Sequence, residues 1–107
     1  MKTAIHASIA LMTAILVSSS PVEAKPREHV VVMDNMRYGR VPAGLKVGDT
    51  IVWVNKDILA HTATSASGGF DSKLIDAGKS WKFVAKKKGD FDYICSYHPM
   101  KGRIRVR

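Results

Sequence analysis

One cysteine, two histidines and one methionine are the residues of this sequence that could carry chemistry together. Cys95, His98 and Met100 lie within six residues near the C-terminus, and His61 lies in a loop about thirty residues upstream, after a strongly apolar segment. Thiolate and thioether are soft ligands, imidazole is intermediate, and two histidines with one cysteine and a long axial methionine stabilise both Cu(I) and Cu(II). If the four side chains converge, we expect them to bind one copper ion of type 1.

The first residues have the pattern of an export signal. Lys2 precedes an apolar stretch that runs from about residue 7 to residue 17, residues 18–21 interrupt it, and Ala24 ends a short segment that a signal peptidase could recognise. We therefore predict a signal peptide over residues 1–24 and a periplasmic location. An uncleaved anchor is less favoured, because the apolar stretch is shorter than the roughly 20 residues that span a membrane.

The remaining residues, 25–107, are enough for one small domain, and Cys95 is the only cysteine in the chain. A lone cysteine in an exported protein can pair with another chain, remain a reactive thiol or bind a metal. Because an unprotected exported thiol is easily oxidised, the metal-binding interpretation is favoured.

Residues 25–107 are strongly basic. They contain sixteen Lys and Arg against eight Asp and Glu, a formal net charge of +8. Export and the lack of an interleaved aromatic and basic pattern argue against nucleic acid. We expect instead that long-range attraction, weakened by salt, steers a monomer toward an acidic protein or an anionic membrane surface.

Short apolar or alternating segments, separated by Gly, Pro and Asp, predict an all-β fold. They cover residues 29–33, 36–41, 50–55, 80–84, 91–95 and 104–107, with a further short segment around Leu45. Residues 56–60 are expected to form a loop that leads to residues 61–64, and residues 70–75 are expected to fold back over the core. Seven to eight short strands without a helical period predict a Greek-key β-sandwich. The segment at 50–55 is expected to cross the core, and residues 86–90 are expected to form a hairpin turn. His29 is expected to be solvated or at a strand edge, and the core aromatics are expected to be Trp53, Trp81, Phe83, Phe91 and Tyr93.

Two segments carry a resemblance to a known family. Residues 47–55 followed by Ala60-His61-Thr62, together with residues 92–99, resemble the cupredoxins, and most of all their small amicyanin-like and plastocyanin-like members. The resemblance implies a β-sandwich that binds a single type 1 copper ion. It also implies that His61 is the first copper ligand and that Cys95 and His98 come from the loop between the last two strands.

The exposed edge of the copper site is also implied by the family. In cupredoxins the C-terminal histidine ligand faces solvent, so His98 is the expected exit for the electron, flanked by Tyr97 and Pro99. Imidazole ligands usually donate the proton of their second ring nitrogen to a neighbouring group.

Two positions depart from the family pattern. Amicyanin-like loops run Cys-x-x-His-x-x-Met, whereas here only Pro99 separates His98 from Met100, and Lys101 occupies the place of the methionine. Met100 is nevertheless the expected axial ligand, since no other soft donor follows it. Thr62 stands where many cupredoxins have an asparagine that bonds across to the metal loop, and threonine could make a similar, shorter bond.

Two functions are consistent with the sequence. The first is a periplasmic carrier of single electrons that docks transiently with acidic redox proteins of the cytochrome, dehydrogenase or oxidase type. The second is a periplasmic protein that sequesters or delivers copper. The lack of a Met-rich or His-rich tract favours the carrier. An enzyme is not expected, because a copper enzyme on this fold needs further ligands, and residues 25–107 contain three histidines.

Overall fold

The computed structural model describes residues 25–41 and 43–107, which form eight β-strands and contain no helix. The predicted signal peptide, residues 1–24, lies outside the described residues. The strands are β1 (Glu28–Asp34), β2 (Arg37–Tyr38), β3 (Thr50–Asn55), β4 (Thr64–Ser65), β5 (Phe70–Asp71), β6 (Ser80–Val84), β7 (Gly89–Ile94) and β8 (Lys101–Val106). Within the described part of the chain, no helix is long and apolar enough to cross a membrane.

The strands form two four-stranded sheets, which confirms the predicted β-sandwich. One sheet has the order β2-β1-β3-β6 and the other has the order β5-β4-β7-β8. β1 and β3 are parallel, with Glu28 opposite Thr50 and Met33 opposite Asn55. β7 and β8 are antiparallel and join through the loop that contains Cys95. β3 and β7 are inner strands of opposite sheets, and the segments that follow them meet at one end of the sandwich, where the N–H of Ser96 donates to the hydroxyl of Thr62.

Alternation of side chains explains how each sheet faces the core. In β8, Ile104 and Val106 are buried while Arg103 and Arg105 are exposed, because successive side chains of a strand point to opposite faces. The inward-facing side chains of both sheets form one cluster, in which Trp53 is fully buried. Fourteen buried residues belong to this cluster, and Cys95 and Met100, two of the predicted copper ligands, are among them. The site is therefore continuous with the core.

Aromatic side chains fill the centre of the sandwich, as predicted. Tyr93 makes edge-to-face contacts with Tyr38 and Trp53, with ring centroids 4.6 Å and 5.3 Å apart. The Tyr93 ring covers Gly102 on the neighbouring strand, where an added Cβ would lie 2.3 Å from the ring carbon Cζ. Glycine is thus required at this position, one residue beyond the start of β8. Trp81, Phe83 and Phe91 are partly buried against the same core.

Two predicted elements are wrong in detail. The strand predicted over residues 36–41 is reduced to β2, because Asn35 and Met36 adopt positive φ angles of 51° and 59° and turn the chain back on β1. Residues 86–88 are not part of a hairpin, since β6 pairs with β3 in one sheet and β7 pairs with β4 and β8 in the other. The sequence of a turn is similar whether the two strands that it connects pair with each other or belong to different sheets.

His29 lies on β1 and is not solvated, so the first of the two environments expected for it is wrong. Its side chain is only 9% exposed, and its Nε2 lies 2.8 Å from Oδ2 of Asp49. Asp49 also accepts hydrogen bonds from the backbone N–H groups of Arg27 and Lys46. The Arg27 N–H, the His29 ring and the Lys46 N–H together lower the pKa of Asp49 to about 2. This contact joins the start of β1 to the residue before β3.

The pKa of Asp49 predicts a pH dependence of stability. Because the pKa falls from an ordinary 3.8 to about 2 on folding, the ionised carboxylate stabilises the fold above about pH 4, and this contribution is lost as the pH falls toward about 2. We expect Asp49→Asn to lower the free energy of unfolding of the metal-free protein at about pH 5. The difference from wild type should shrink at about pH 2.5, as measured by urea denaturation at both pH values.

Asp76→Asn is the matched control, since it removes the same charge from an exposed carboxylate. If the Asp49→Asn protein kept its full deficit at the lower pH, the stabilisation would not depend on the ionised form of Asp49.

Candidate metal centre

Two loops at the same end of the sandwich carry the predicted donors. His61 lies between β3 and β4, where its backbone N–H donates to the Ile75 carbonyl (3.1 Å) and its carbonyl accepts the Ile75 N–H (2.7 Å). Cys95, His98 and Met100 lie in the six-residue loop between β7 and β8, closed by the Ile94–Lys101 pair. Each loop begins where a regular strand ends, so the strands fix the positions of the donors.

Three of the predicted donors form a compact triangle. The Nδ1 atoms of His61 and His98 lie 3.1 Å apart, and they lie 3.9 Å and 3.6 Å respectively from Sγ of Cys95. Ligand atoms of these three residues all lie within 4.8 Å of one another. His61 is fully buried, Cys95 is 4% exposed and His98 is partly exposed. The cluster therefore opens to the surface only on the His98 side.

The dimensions of the triangle suit a shared metal ion. Histidine nitrogen and cysteine sulfur bind a metal such as zinc at about 2.0 and 2.3 Å, so two donors to one ion are separated by roughly 3.3 to 3.9 Å. The three separations here span 3.1 to 3.9 Å. Thiolate together with imidazole is a donor set that suits copper as well as zinc.

Met100 lies beside the triangle and is 2% exposed. Its backbone N–H donates to the carbonyl of His98 (2.8 Å), which forms a tight turn around Pro99. Its carbonyl accepts the N–H of Cys95 (3.2 Å), which closes the loop. The loop thus reverses direction between His98 and Met100 and brings the Met100 side chain into the core cluster.

Thr62 joins the two loops directly. Its backbone N–H lies 3.4 Å from Sγ of Cys95, and its hydroxyl oxygen accepts the N–H of Ser96 at 2.9 Å. The hydroxyl also contacts Oγ1 of Thr64, which continues the network to Asp71. The threonine at this position therefore makes the bond across to the metal loop that its place in the sequence suggested.

The surroundings of Cys95 favour its ionised form. Burial of the thiol opposes ionisation, but hydrogen bonds from the backbone N–H groups of Thr62 and Tyr97, together with the adjacent imidazoles of His98 and His61, outweigh it. The net effect lowers the pKa of Cys95 to about 6. The thiolate is the form of cysteine that binds metals.

Sequence reasoning missed one residue of the site. No role was predicted for Asp57, yet its Oδ2 lies 2.8 Å from Nε2 of His61. The hydrogen bonds from the His61 ring and from the Met36 N–H hold the pKa of Asp57 below its usual range. The signal that could have found it is the carboxylate four residues before a metal-ligand histidine, because such histidines usually donate their second N–H to an acceptor.

The Thr62 hydroxyl is expected to stabilise the metal-free fold. Thr62→Val keeps the shape of the side chain but leaves the Ser96 N–H without its acceptor, so we expect the free energy of unfolding to fall by about 1 to 2 kcal/mol. Thr62→Ser, which retains the acceptor, should lose less. Urea denaturation of the three metal-free proteins measures both differences.

Thr64→Val is the control for this prediction, because it removes a neighbouring hydroxyl that does not bond to the Ser96 N–H. Equal losses for Thr62→Val and Thr62→Ser would mean that the methyl group of Thr62, and not its hydroxyl, stabilises the loop.

Comparisons with known proteins agree with this architecture. No protein-family model matches the chain. The amicyanin of Paracoccus versutus is 29% identical over 98 residues, which cover 83% of this chain and 74% of the relative. The amicyanin of Paracoccus denitrificans is 26% identical over 102 residues, which cover 87% of this chain and 78% of that relative. A solved structure of a reduced Cu(I) amicyanin mutant at pH 4 is 26% identical, with a TM-score of 0.65 over 73% of this chain and 80% of its own. The chain therefore has the cupredoxin fold and is amicyanin-like over most of its length.

Proposed function

We propose that this chain is a periplasmic type 1 copper protein that carries single electrons between redox partners, and that it is not an enzyme. The observation that carries the proposal is the triangle of His61, Cys95 and His98, whose donor atoms lie within 4.8 Å of one another at one end of a cupredoxin sandwich. The similarity to amicyanins supports the same function.

We assign four residues to the copper: His61, Cys95 and His98 as the three strong ligands, and Met100 as the axial ligand. Copper bound by such a set supplies a one-electron Cu(I)/Cu(II) couple. Three of the four side chains are at most 4% exposed, which keeps bulk water away from the thiolate. Met100 is the only thioether in the metal loop.

The protein holds these ligands in place before any metal binds. The backbone bonds between His61 and Ile75, the bond from Thr62 to the Cys95 sulfur and the bond from Cys95 to the Met100 carbonyl all fix donor positions. A site fixed in this way can keep nearly one geometry in both oxidation states. Little reorganisation would then accompany electron transfer.

His98 is the proposed exit for the electron. It is the one donor of the triangle with solvent exposure, and it is flanked by Tyr97, which is 67% exposed, and by the exposed Pro99. Leu74, 54% exposed, lines the same surface cleft as Tyr97. The uncharged side chains of Tyr97, Pro99 and Leu74 near the exposed imidazole suit a brief contact with a redox partner.

Basic side chains lie along β8, which begins at the metal end of the domain, and would attract an acidic partner. Lys101 adjoins the metal loop, and Arg103 and Arg105 follow it on the outer face of β8. Arg103 is paired with Asp92, which reduces its contribution. The +8 charge of residues 25–107 would speed encounter with an acidic redox protein, since attraction between opposite charges raises association rates. The export of the protein rests on the sequence pattern of residues 1–24.

The copper assignment is tested by absorption and electron paramagnetic resonance spectroscopy of residues 25–107 with one equivalent of Cu(II). We expect an intense visible band from thiolate-to-copper charge transfer and a small copper hyperfine splitting, as in a type 1 site. Cys95→Ser should abolish the band. Met100→Ala should shift it and change the reduction potential, because the axial ligand tunes that potential.

Met33→Ala is the matched control for Met100→Ala, since Met33 is fully buried in the core and lies on β1, outside the loop of residues 95–100. A wild-type protein without the band would overturn the type 1 assignment and favour the alternative function, copper sequestration or delivery. A band that Met100→Ala leaves unchanged would remove Met100 from the ligand set.

Electrostatic steering is tested with small redox reagents of opposite charge. We expect the rate of oxidation of the reduced copper protein by anionic hexacyanoferrate(III) to fall by about tenfold from low to high ionic strength, because salt screens attraction to the basic surface. Oxidation by a cationic cobalt(III) complex should accelerate with salt. Stopped-flow absorbance measures both rates.

Lys101→Glu should weaken the salt dependence more than Lys87→Glu, although both change the net charge equally. Lys87 precedes β7 whereas Lys101 adjoins the loop after it, and six strand residues separate the two ends by about 20 Å. A rate with hexacyanoferrate(III) that is independent of salt would show that steering plays no part.

A further inference from the structure

We propose that Asp57 is a positioning residue that holds the proton of His61 on Nε2, leaves Nδ1 free for copper, and favours Cu(II) over Cu(I) through its negative charge. This inference rests on the proposed copper site. It assigns to Asp57 a role in setting the reduction potential, although Asp57 supplies no ligand atom to the triangle.

The two nitrogens of His61 face opposite partners. Nε2 lies 2.8 Å from Oδ2 of Asp57, and Nδ1 lies on the side of His98 and Cys95, at 3.1 and 3.9 Å from their donor atoms. An ionised carboxylate accepts hydrogen bonds but cannot donate one, so the proton of the neutral ring must reside on Nε2. Nδ1 then presents its lone pair to the metal side.

The carboxylate of Asp57 is itself held rigidly. Oδ2 accepts the backbone N–H of Met36 at 2.9 Å, and Oδ1 accepts the N–H of Ile58 at 2.9 Å. The N–H of Asp57 donates to Oδ1 of Asn55, also at 2.9 Å. The side chain of Asp57 is 11% exposed and that of His61 is fully buried. The carboxylate therefore cannot rotate away from the imidazole without breaking two further bonds, and the backbone bond to Asn55 holds the residue itself in place.

Asn55 continues this support into the core. It is fully buried, and its Nδ2 donates to the carbonyls of Leu59 (2.8 Å) and Ile75 (2.9 Å). Ile75 also pairs with the backbone of His61. The segment from Asn55 to His61 is thus a closed loop, and it places the Asp57 carboxylate at Nε2 of the buried histidine, the ring nitrogen that does not face Cys95 and His98.

The charge of Asp57 should act on the two oxidation states unequally. A fixed anion behind a ligand interacts more favourably with the doubly charged ion than with the singly charged one. Burial strengthens this interaction, because few waters separate Asp57 from the site. Removal of the charge should therefore weaken Cu(II) binding more than Cu(I) binding and raise the reduction potential.

Three substitutions separate charge from geometry. Asp57→Asn removes the charge but keeps an oxygen that can accept a hydrogen bond from Nε2–H of His61. Asp57→Ala removes both. Asp71→Asn is the matched control, because Asp71 lies in the surface cleft beside Tyr97 and Ser96, loses the same charge and contacts none of the four proposed ligands.

The reduction potential of each copper-loaded protein is measured by spectroelectrochemistry at one pH, beside its optical band. For Asp57→Asn we expect a retained band and a roughly tenfold fall in the ratio of Cu(II) to Cu(I) affinity, which for a one-electron couple is a rise of about 59 mV in potential. Asp57→Ala should also bind Cu(II) about 10 to 100 times more weakly. Asp71→Asn should shift the potential by less than half as much as Asp57→Asn.

Equal shifts for Asp57→Asn and Asp71→Asn, or no shift for Asp57→Asn, would overturn the role of Asp57. A wild-type protein without the charge-transfer band would instead overturn the proposed function, so the two failures are distinguishable.

The proton assignment is tested without any substitution, which covers variants that fail to fold or to bind copper. Nitrogen-15 NMR of the metal-free wild-type protein, at a pH where its histidines are neutral, reports which ring nitrogen of His61 carries the proton. Protonated Nε2 with bare Nδ1 supports the proposal. Protonated Nδ1 would overturn it.

Discussion

The contacts of Thr62 with the metal loop are the constraint on which the site depends. The donors come from two loops separated by 34 positions in sequence, and Thr62 joins them through its N–H at the Cys95 sulfur and its hydroxyl at the Ser96 N–H. The two sheets bring these loops near each other, but a sandwich alone does not fix side chains to within a fraction of an ångström. Hydrogen bonds between the loops supply that precision.

The site is asymmetric, and the asymmetry matches an electron carrier. On its inner side, Asn55, Asp57 and His61 form a closed, buried network. On its outer side, His98 reaches solvent beside the uncharged side chains of Tyr97 and Pro99, while basic residues follow along β8. In the proposed carrier, the rigid interior would limit reorganisation, the exposed imidazole would provide contact and the positive charge would guide the partner. These tasks fall on different residues, so each can be altered separately.

Strand content followed from local pattern, whereas pairing did not. β3 was predicted over residues 50–55 and is observed there, because a run of β-branched and aromatic residues between Asp49 and Lys56 has no competing structure. The two-residue strands β4 and β5 are too short to leave a periodic signal. The exchange of sheets between β6 and β7 was missed, because strand pairing depends on distant partners that a turn sequence does not encode.

The sequence by itself determined the donor types, their order and the spacing of Cys95, His98 and Met100, since ligand chemistry resides in side chains and a six-residue loop keeps them together. It also indicated that Thr62 could reach the metal loop. Only the tertiary structure decided that His61 meets the other donors, that His29 pairs with Asp49, and that Asp57 turns its carboxylate to the buried imidazole. The physical reason is that these contacts depend on the path of the backbone between strands, where one positive φ angle or one side-chain hydrogen bond redirects a loop by several ångströms.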